Sequence, residues 1–281
     1  MGQAGGVVSD AGPGVRVRVR APAKLTLSLE VTGVRPDGYH ELRSEMVTLD
    51  LADELEFDEA GSGVSVVAAP GSRAEQLGTR PEAARADNLV VDALRVAGRT
   101  AAVRLSKRIP VGGGLGGGSA DAAAVLRWAG CTDPMVGMRL GADVPFCLIG
   151  GRALVEGIGE RVTPLPYERR EFLLLIPPFG IDTAAVYRAW DEAGVGGASE
   201  GGGVNDLAGA ALAVEPRLAV WRDVLRELAG HEPTLAGSGS TWFVEEGPAE
   251  AGTSALPELR VGDARGQLLR VATVPSGWGA G

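Results

Sequence analysis

Hydrophobic and polar residues alternate from Val15 to Val31, apart from one interruption. The odd positions Val15, Val17, Val19, Leu25, Leu27, Leu29 and Val31 are apolar, and the even positions Arg16, Arg18, Arg20, Lys24, Thr26, Ser28 and Glu30 are polar. Period two predicts half-buried strands, interrupted at Ala21-Pro22, with Lys24 and Thr26 on the polar face. "RPDGYHEL" then reads as a turn built on Asp37-Gly38, with Tyr39 and His40 just beyond it. "MVTLDLADELEF" predicts a strand pair, "ADNLVVDALRVAG" an amphipathic helix and "TAAVRLSKRIP" a strand. Further on, "MRLGADVPFCLIGGRALVEG" predicts a short helix, a tight segment around Asp143 and a strand. "EFLLLIPPFGIDTAAVYRAW" predicts a buried strand, a bend and a helix, and "VEPRLAVWRDVLRELAG" a second amphipathic helix. "PTLAGSGSTWFVEE" places Gly237-Ser238-Gly239-Ser240 before a short strand. "ELRVGDARGQLLRVATV" fits either a helix or a strand pair, and residues 192–203 read as a flexible loop. The pattern as a whole is α+β. It predicts a disordered tail over 1–14, an N-terminal lobe over 15–163 and a C-terminal lobe over 164–281, divided near Pro164.

Between the strand ending near Pro110 and the alanine-rich stretch to Trp128 lies "GGGLGGGS", six glycines in the seven residues 112–118. Each glycine costs roughly 0.5–1 kcal/mol relative to alanine in regular structure, so the cluster needs a reason. A linker would join segments of changing composition. Here a strand runs straight into a helix, with Ser119 expected as its N-cap and Asp121 in its first turn. A glycine loop feeding a helix N-terminus offers free N–H groups and a favourable dipole to an anion. Gly112, Gly114 and Gly117 satisfy G-x-G-x-x-G, but no acidic residue closes a second strand about 20 positions later. A Walker loop needs lysine after its last glycine, where this chain has Ser119. A phosphate cradle of a less common kind remains.

Composition narrows the partners. The chain has 281 residues, is 45% hydrophobic and 22% charged, and carries a net charge of −9 with no basic stripe, which argues against a nucleic-acid partner. No apolar run approaches membrane-spanning length, and the N-terminus has no signal-peptide pattern, so no membrane partner and a cytoplasmic location are expected. Cys131 and Cys147 lack metal or redox spacing and read as packing residues. Among 27 basic residues only Lys24 and Lys107 are lysines. Lysine and arginine are not interchangeable at phosphate sites, which marks both positions for chemistry.

"APAKLTLSLEVTGVRPDGYHEL", "IPVGGGLGGGSADAAAV", "LGADVPFCLIGGRALVEGIGE" and "LAGSGSTWF" together resemble the 4-diphosphocytidyl-2-C-methyl-D-erythritol kinase family. That family belongs to the galactokinase, homoserine kinase, mevalonate kinase and phosphomevalonate kinase superfamily. The resemblance runs in order from about residue 17 to 274. It implies a two-lobed small-molecule kinase fold, with a ribosomal-S5-like N-terminal lobe and a ferredoxin-like C-terminal lobe. It also implies ATP and Mg²⁺, and transfer of the γ-phosphoryl group to the 2-hydroxyl of a cytidine diphosphate-linked methylerythritol, a step toward isoprenoids. By itself Asp143 reads equally as a helix cap ahead of Pro145; the resemblance makes Lys24 and Asp143 the catalytic pair. It puts Asn88, Lys107, Pro110, Gly112, Gly113, Gly114, Leu115, Gly116, Gly117, Gly118 and Ser119 around ATP, with Ser119 a candidate metal ligand. Thr26, Tyr39, His40, Thr183 and Tyr187 would hold the substrate, the cytosine lying between aromatic rings and bonded by the histidine. Thr26 stands where the family usually has asparagine, and the stretch between Trp128 and Asp143 is shorter than usual. A sister kinase acting on another alcohol, or a catalytically silent nucleotide or sugar sensor, would share the glycine loop. The oligomeric state is open.

Overall fold

The computed structural model describes residues 16–69, 72, 88–194, 204–247, 254–255 and 258–277. The expected tail over 1–14 lies outside the described residues, as does most of the expected loop over 192–203.

Two long strands, β1 (Val17–Val34) and β2 (His40–Asp58), form a hairpin in which Val34 faces His40. The turn is the predicted one: Gly38 takes a φ of 85° and its N–H reaches Arg35 O at 2.9 Å. The expected break at Ala21-Pro22 does not occur. β1 runs through it, and a register shift between Pro22 and Lys24 absorbs the proline that cannot donate to the ladder. "MVTLDLADELEF" is likewise part of one strand, not two. β2 pairs with β5 (Arg152–Gly157) through its first half and with β4 (Ala102–Lys107) through its second. With β3 (Gly63–Ala68) parallel to β4, and β6 (Arg161–Leu165) beside β5, this sheet has six strands in the order β3-β4-β2-β5-β6, with β1 on β2. Helices α1 (Leu89–Val96), α2 (Gly117–Trp128), α3 (Pro134–Met138) and α4 (Val144–Ile149) complete this lobe. α2 is buried without a break from Ala120 to Leu126, which is why it is made of alanines. Cys147, in α4, is buried, and burial pushes its thiol up to about 12, in keeping with a packing role.

The expected boundary near Pro164 falls inside β6, where Pro164 opposes Ala153. The second sheet starts after it, with β7 (Glu171–Ile176), β8 (Thr234–Leu235), β9 (Trp242–Glu246), β10 (Ser254–Ala255), β11 (Leu259–Val261) and β12 (Ala264–Ala272), in the order β10-β12-β7-β9-β8 with β11 on β12. The C-terminal segment left open by its pattern is thus the β11–β12 hairpin. Helices α5 (Thr183–Ala193), α6 (Ala208–Val214) and α7 (Arg217–Ala229) cover one face. β7 is buried on both faces, and its alternation divides two cores. Phe172, Leu174 and Ile176 pack with the first lobe, whereas Leu173 and Leu175 pack with Val186, Trp190, Leu218, Trp221 and Leu225 under the helices. One face of the second sheet therefore continues the core of the first lobe. β1 also crosses over: Leu29 donates to Val204 O and accepts from Asp206 N, both at 2.9 Å. This brings the middle of β1 to the seam, with Lys24 and Thr26 upon it.

Candidate active site

Lys24 projects from the polar register of β1, yet it is only 6% exposed. The glycine loop covers it. Lys24 N donates to Leu115 O at 3.1 Å, and a Cβ on Gly116, whose φ is +67°, would come within 2.6 Å of Lys24 Cγ. Only glycine allows both that backbone conformation and that approach. From the second lobe, Thr241 N donates to Gly113 O at 3.3 Å. A Cβ on Gly114, at φ +77°, would lie 2.4 Å from Ala236 O. The loop is thus clamped between β1 and the Gly237–Ser240 turn. Gly112 meets Gly180 in the same way, and Gly113 lies against Pro110 and the Thr241 hydroxyl. Leu115 is 1% exposed and anchors the loop in the core, so only its backbone can face a ligand.

Helix α2 begins one turn earlier than expected. Gly116 is its N-cap, so Ser119 lies within the first turn, half-buried, and does not cap. Asp121 is not a first-turn surface charge either. It is buried and accepts from Lys107 Nζ at 2.7 Å, while Lys107 also donates to Asp53 at 2.5 Å. Asp53 further accepts from the amides of Arg108 and Ile109. Lys107, 8% exposed, therefore stands under the loop, its Nζ 3.2 Å from where a Cβ on Gly117 would be. Burial alone would lower the ammonium, but the Asp121 and Asp53 carboxylates outweigh it and raise it to about 12. Burial pushes the Asp121 carboxyl up to about 8 against the pull of Lys107. Lys107 and its two carboxyl partners brace the loop from below, and the start of the helix offers free N–H groups and its dipole to an anion above. Asn88 caps α1 through Val90 N at 3.0 Å, and that helix start touches the loop where Leu89 Cδ1 would meet a Cβ on Gly118 at 3.5 Å.

Lys24 Nζ lies 3.3 Å from Asp143 Oδ2 and donates to Thr26 Oγ1 at 3.1 Å. Asp143 holds the N-cap position of α4, but its side chain makes no capping bond. The cap reading therefore fails, and the carboxylate, a third exposed, is directed to the lysine. Gly237 closes the far side, 3.5 Å from Lys24 Nζ to a Cβ placed there.

The residues expected around the base divide. His40 packs against Tyr187 with ring centroids 4.7 Å apart, and meets the edge of Trp190 at 5.5 Å. Burial pushes the Tyr187 hydroxyl upward. Thr183 shares a 2.8 Å hydrogen bond with Ser238. Tyr39, 61% exposed on the hairpin, makes no ring contact with them. Sequence reasoning missed Asp191, which accepts from His40 Nε2 at 2.7 Å, and gave no role to Ser238 of the Gly237–Ser240 stretch or to Thr241 directly after it.

Among the described residues no group of three His, Cys, Asp or Glu could hold a metal. Mg²⁺ in phosphate sites commonly takes one or two protein oxygens and completes its shell with phosphates and water. The Asp143 carboxylate and the Ser119 hydroxyl are oxygen donors of the kind that mode uses. No helix among the described residues is long and apolar enough to cross a membrane.

Residues 87–132 match the GHMP kinases N terminal domain. The 4-diphosphocytidyl-2-C-methyl-D-erythritol kinase of Paracoccus denitrificans is 39% identical over 246 residues, covering 80% of this chain and 85% of that protein. The Rhodopseudomonas palustris protein of the same name is 35% identical over 87% of this chain and 94% of its own. A crystal structure of 4-(cytidine 5'-diphospho)-2C-methyl-D-erythritol kinase superposes with a TM-score of 0.61 at 34% identity, over 81% of this chain and 89% of that one. Glycine loop, lysine–aspartate pair and two-lobed α+β fold thus occur in a chain that belongs to the 4-diphosphocytidyl-2-C-methyl-D-erythritol kinase family, within the GHMP kinases.

Proposed function

We propose that this chain transfers the γ-phosphoryl group of ATP to the 2-hydroxyl of 4-diphosphocytidyl-2-C-methyl-D-erythritol, a step in isoprenoid precursor synthesis. The observation that carries the reading is the Lys24–Asp143 pair, 3.3 Å apart and walled by the glycine loop. Phosphoryl transfer asks mainly for positioning and charge stabilisation. Asp143 orients the acceptor hydroxyl and takes its proton. Lys24, its ammonium fixed by Thr26 and Asp143, stabilises charge on the transferring group. The amides of residues 116–118 hold the ATP phosphates, with Lys107 fixing the loop from below. Mg²⁺, held by Ser119 or Asp143 with phosphate oxygens, would neutralise phosphate charge when bound. Tyr39, His40, Thr183 and Tyr187 hold the cytidine end, and Asn88 and Pro110 border the nucleotide. The reaction draws on cytoplasmic ATP, and the chain acts there on a small molecule. An intact lysine–carboxylate pair argues against a silent sensor.

Phosphorus NMR of the product tests the reading. The 2-carbon carries a methyl group and no hydrogen, so a phosphate on its oxygen gives a signal without proton splitting. Phosphorylation of a primary or secondary hydroxyl gives a split signal and would overturn the proposal.

A further inference from the structure

The His40 imidazole is fixed from three directions. Tyr187 packs against the ring at 4.7 Å with the two planes tilted by 36°, Trp190 meets it in an edge arrangement at 5.5 Å, and Asp191 binds Nε2 at 2.7 Å. Tyr187, Trp190 and Asp191 all belong to α5, so this one helix supplies the whole mount for a side chain that starts β2. A carboxylate can only accept, so the bond places a hydrogen on Nε2. In the neutral ring the other nitrogen, Nδ1, then carries a lone pair. That assignment has a consequence for the base. Cytosine presents an amino donor at the position where uracil presents a carbonyl acceptor. A lone pair on Nδ1 attracts the first and repels the second.

We propose that Asp191 is a positioning residue for base choice: by binding His40 Nε2–H it turns Nδ1 into an acceptor that reads the exocyclic amino group of a cytidine diphosphate moiety and rejects the uridine counterpart. The inference rests on the reading of His40 as a contact to the base. It adds a second layer to that contact, in a residue half exposed at the end of its helix and remote from Lys24 and Asp143 in the chain. Substitution there leaves the reacting groups in place. The backbone bond from Gly194 N to Asp191 O is also independent of the side chain.

The chain has only two histidines, His40 and His231, so imidazole nitrogen NMR of the full-length protein resolves the tautomer directly, with His231→Gln assigning the signals. In the wild type His40 shows a protonated Nε2 and an unprotonated Nδ1. In Asp191→Ala the two tautomers mix. The Michaelis constant for the diphosphocytidyl substrate rises about five- to twentyfold, as expected when a binding hydrogen bond loses its alignment, while kcat and the constant for ATP stay within about twofold. The preference for CDP over UDP as competitive inhibitors falls by a similar factor. Asp191→Glu, which keeps the carboxylate, restores part of it. An unchanged tautomer in Asp191→Ala, or an unchanged Michaelis constant and CDP preference, overturns the inference. Tyr187→Ala separates its failure from that of the underlying reading. If Tyr187→Ala weakens the cytidine substrate and Asp191→Ala does not, only the role of Asp191 falls. If neither does, the base pocket itself is elsewhere.

Discussion

Lys24 is a cation whose surroundings leave it one task. Its ammonium has Thr26 and Asp143 as partners, and its stem is pressed by Gly116, so a bulkier group has no room. Asp143 makes no capping bond to α4; its charge serves the ion pair with Lys24, and an amide of the same shape keeps an oxygen that can still accept from that ammonium. Asp143→Asn should therefore keep its melting temperature and its Michaelis constant for ATP, while kcat falls by ~10²–10⁴, the usual contribution of a positioned general base. Steady-state kinetics beside a thermal melt checks this, and activity within a few-fold of wild type would remove Asp143 from the chemistry. The sequence singled out both residues, Lys24 by the scarcity of lysine and both by the resemblance, and the structure pairs them. The burial of Lys24 was not legible there. Alternation says which face of a strand is polar, but not that a loop 90 residues away and a turn from another lobe will cover that face.

Helix α5 carries Thr183, Tyr187 and Asp191 four residues apart, so all three fall on one stripe. The stripe meets Ser238 at one end and His40 further along. Tyr187→Ala should raise the Michaelis constant for the cytidine substrate about tenfold to a hundredfold, the value of one stacking face, and leave that for ATP unchanged. A loss shared equally by ATP would contradict the assignment of this stripe to the base. The apolar period made α7 readable in advance and the bend after β7 marked the start of α5, whereas α6, "AGAALAV", is too uniform in small apolar residues to show a face. Asp191 was invisible because an acidic residue near a helix end normally reads as solvated. The supposed break in β1 followed the rule for proline; the bulge that satisfies it is a tertiary feature.

The two lobes share one core across β7, and the phosphate loop is held by both, so the site exists only in the assembled molecule. Pro164 lies inside β6, and β7 gives no pattern cue to a division between lobes, because the face that packs on the first lobe is as apolar as the face under the helices. The Lys107–Asp53–Asp121 cluster lies under that loop and links it to pH. Asp121 is raised from 3.8 to about 8, so between these limits the folded chain keeps a proton that the unfolded chain releases. Its contribution to stability is complete below about 3.8 and is lost as pH rises through about 8. Lys107, raised from 10.5 to about 12, contributes fully below 10.5 and loses its contribution through 12. From pH 5 to 8 the melting temperature of the wild type should thus fall relative to Asp121→Asn, whose amide does not titrate; parallel curves would contradict this. The central claim, a kinase whose acceptor site is built for a cytidine diphosphate alcohol, is tested most directly by comparing kcat/KM for 4-diphosphocytidyl-2-C-methyl-D-erythritol, mevalonate and homoserine with ATP and Mg²⁺ held constant. The account predicts a preference for the diphosphocytidyl substrate of at least about a hundredfold, the scale of one stacked and hydrogen-bonded base. Equal or faster turnover of mevalonate or homoserine would contradict it.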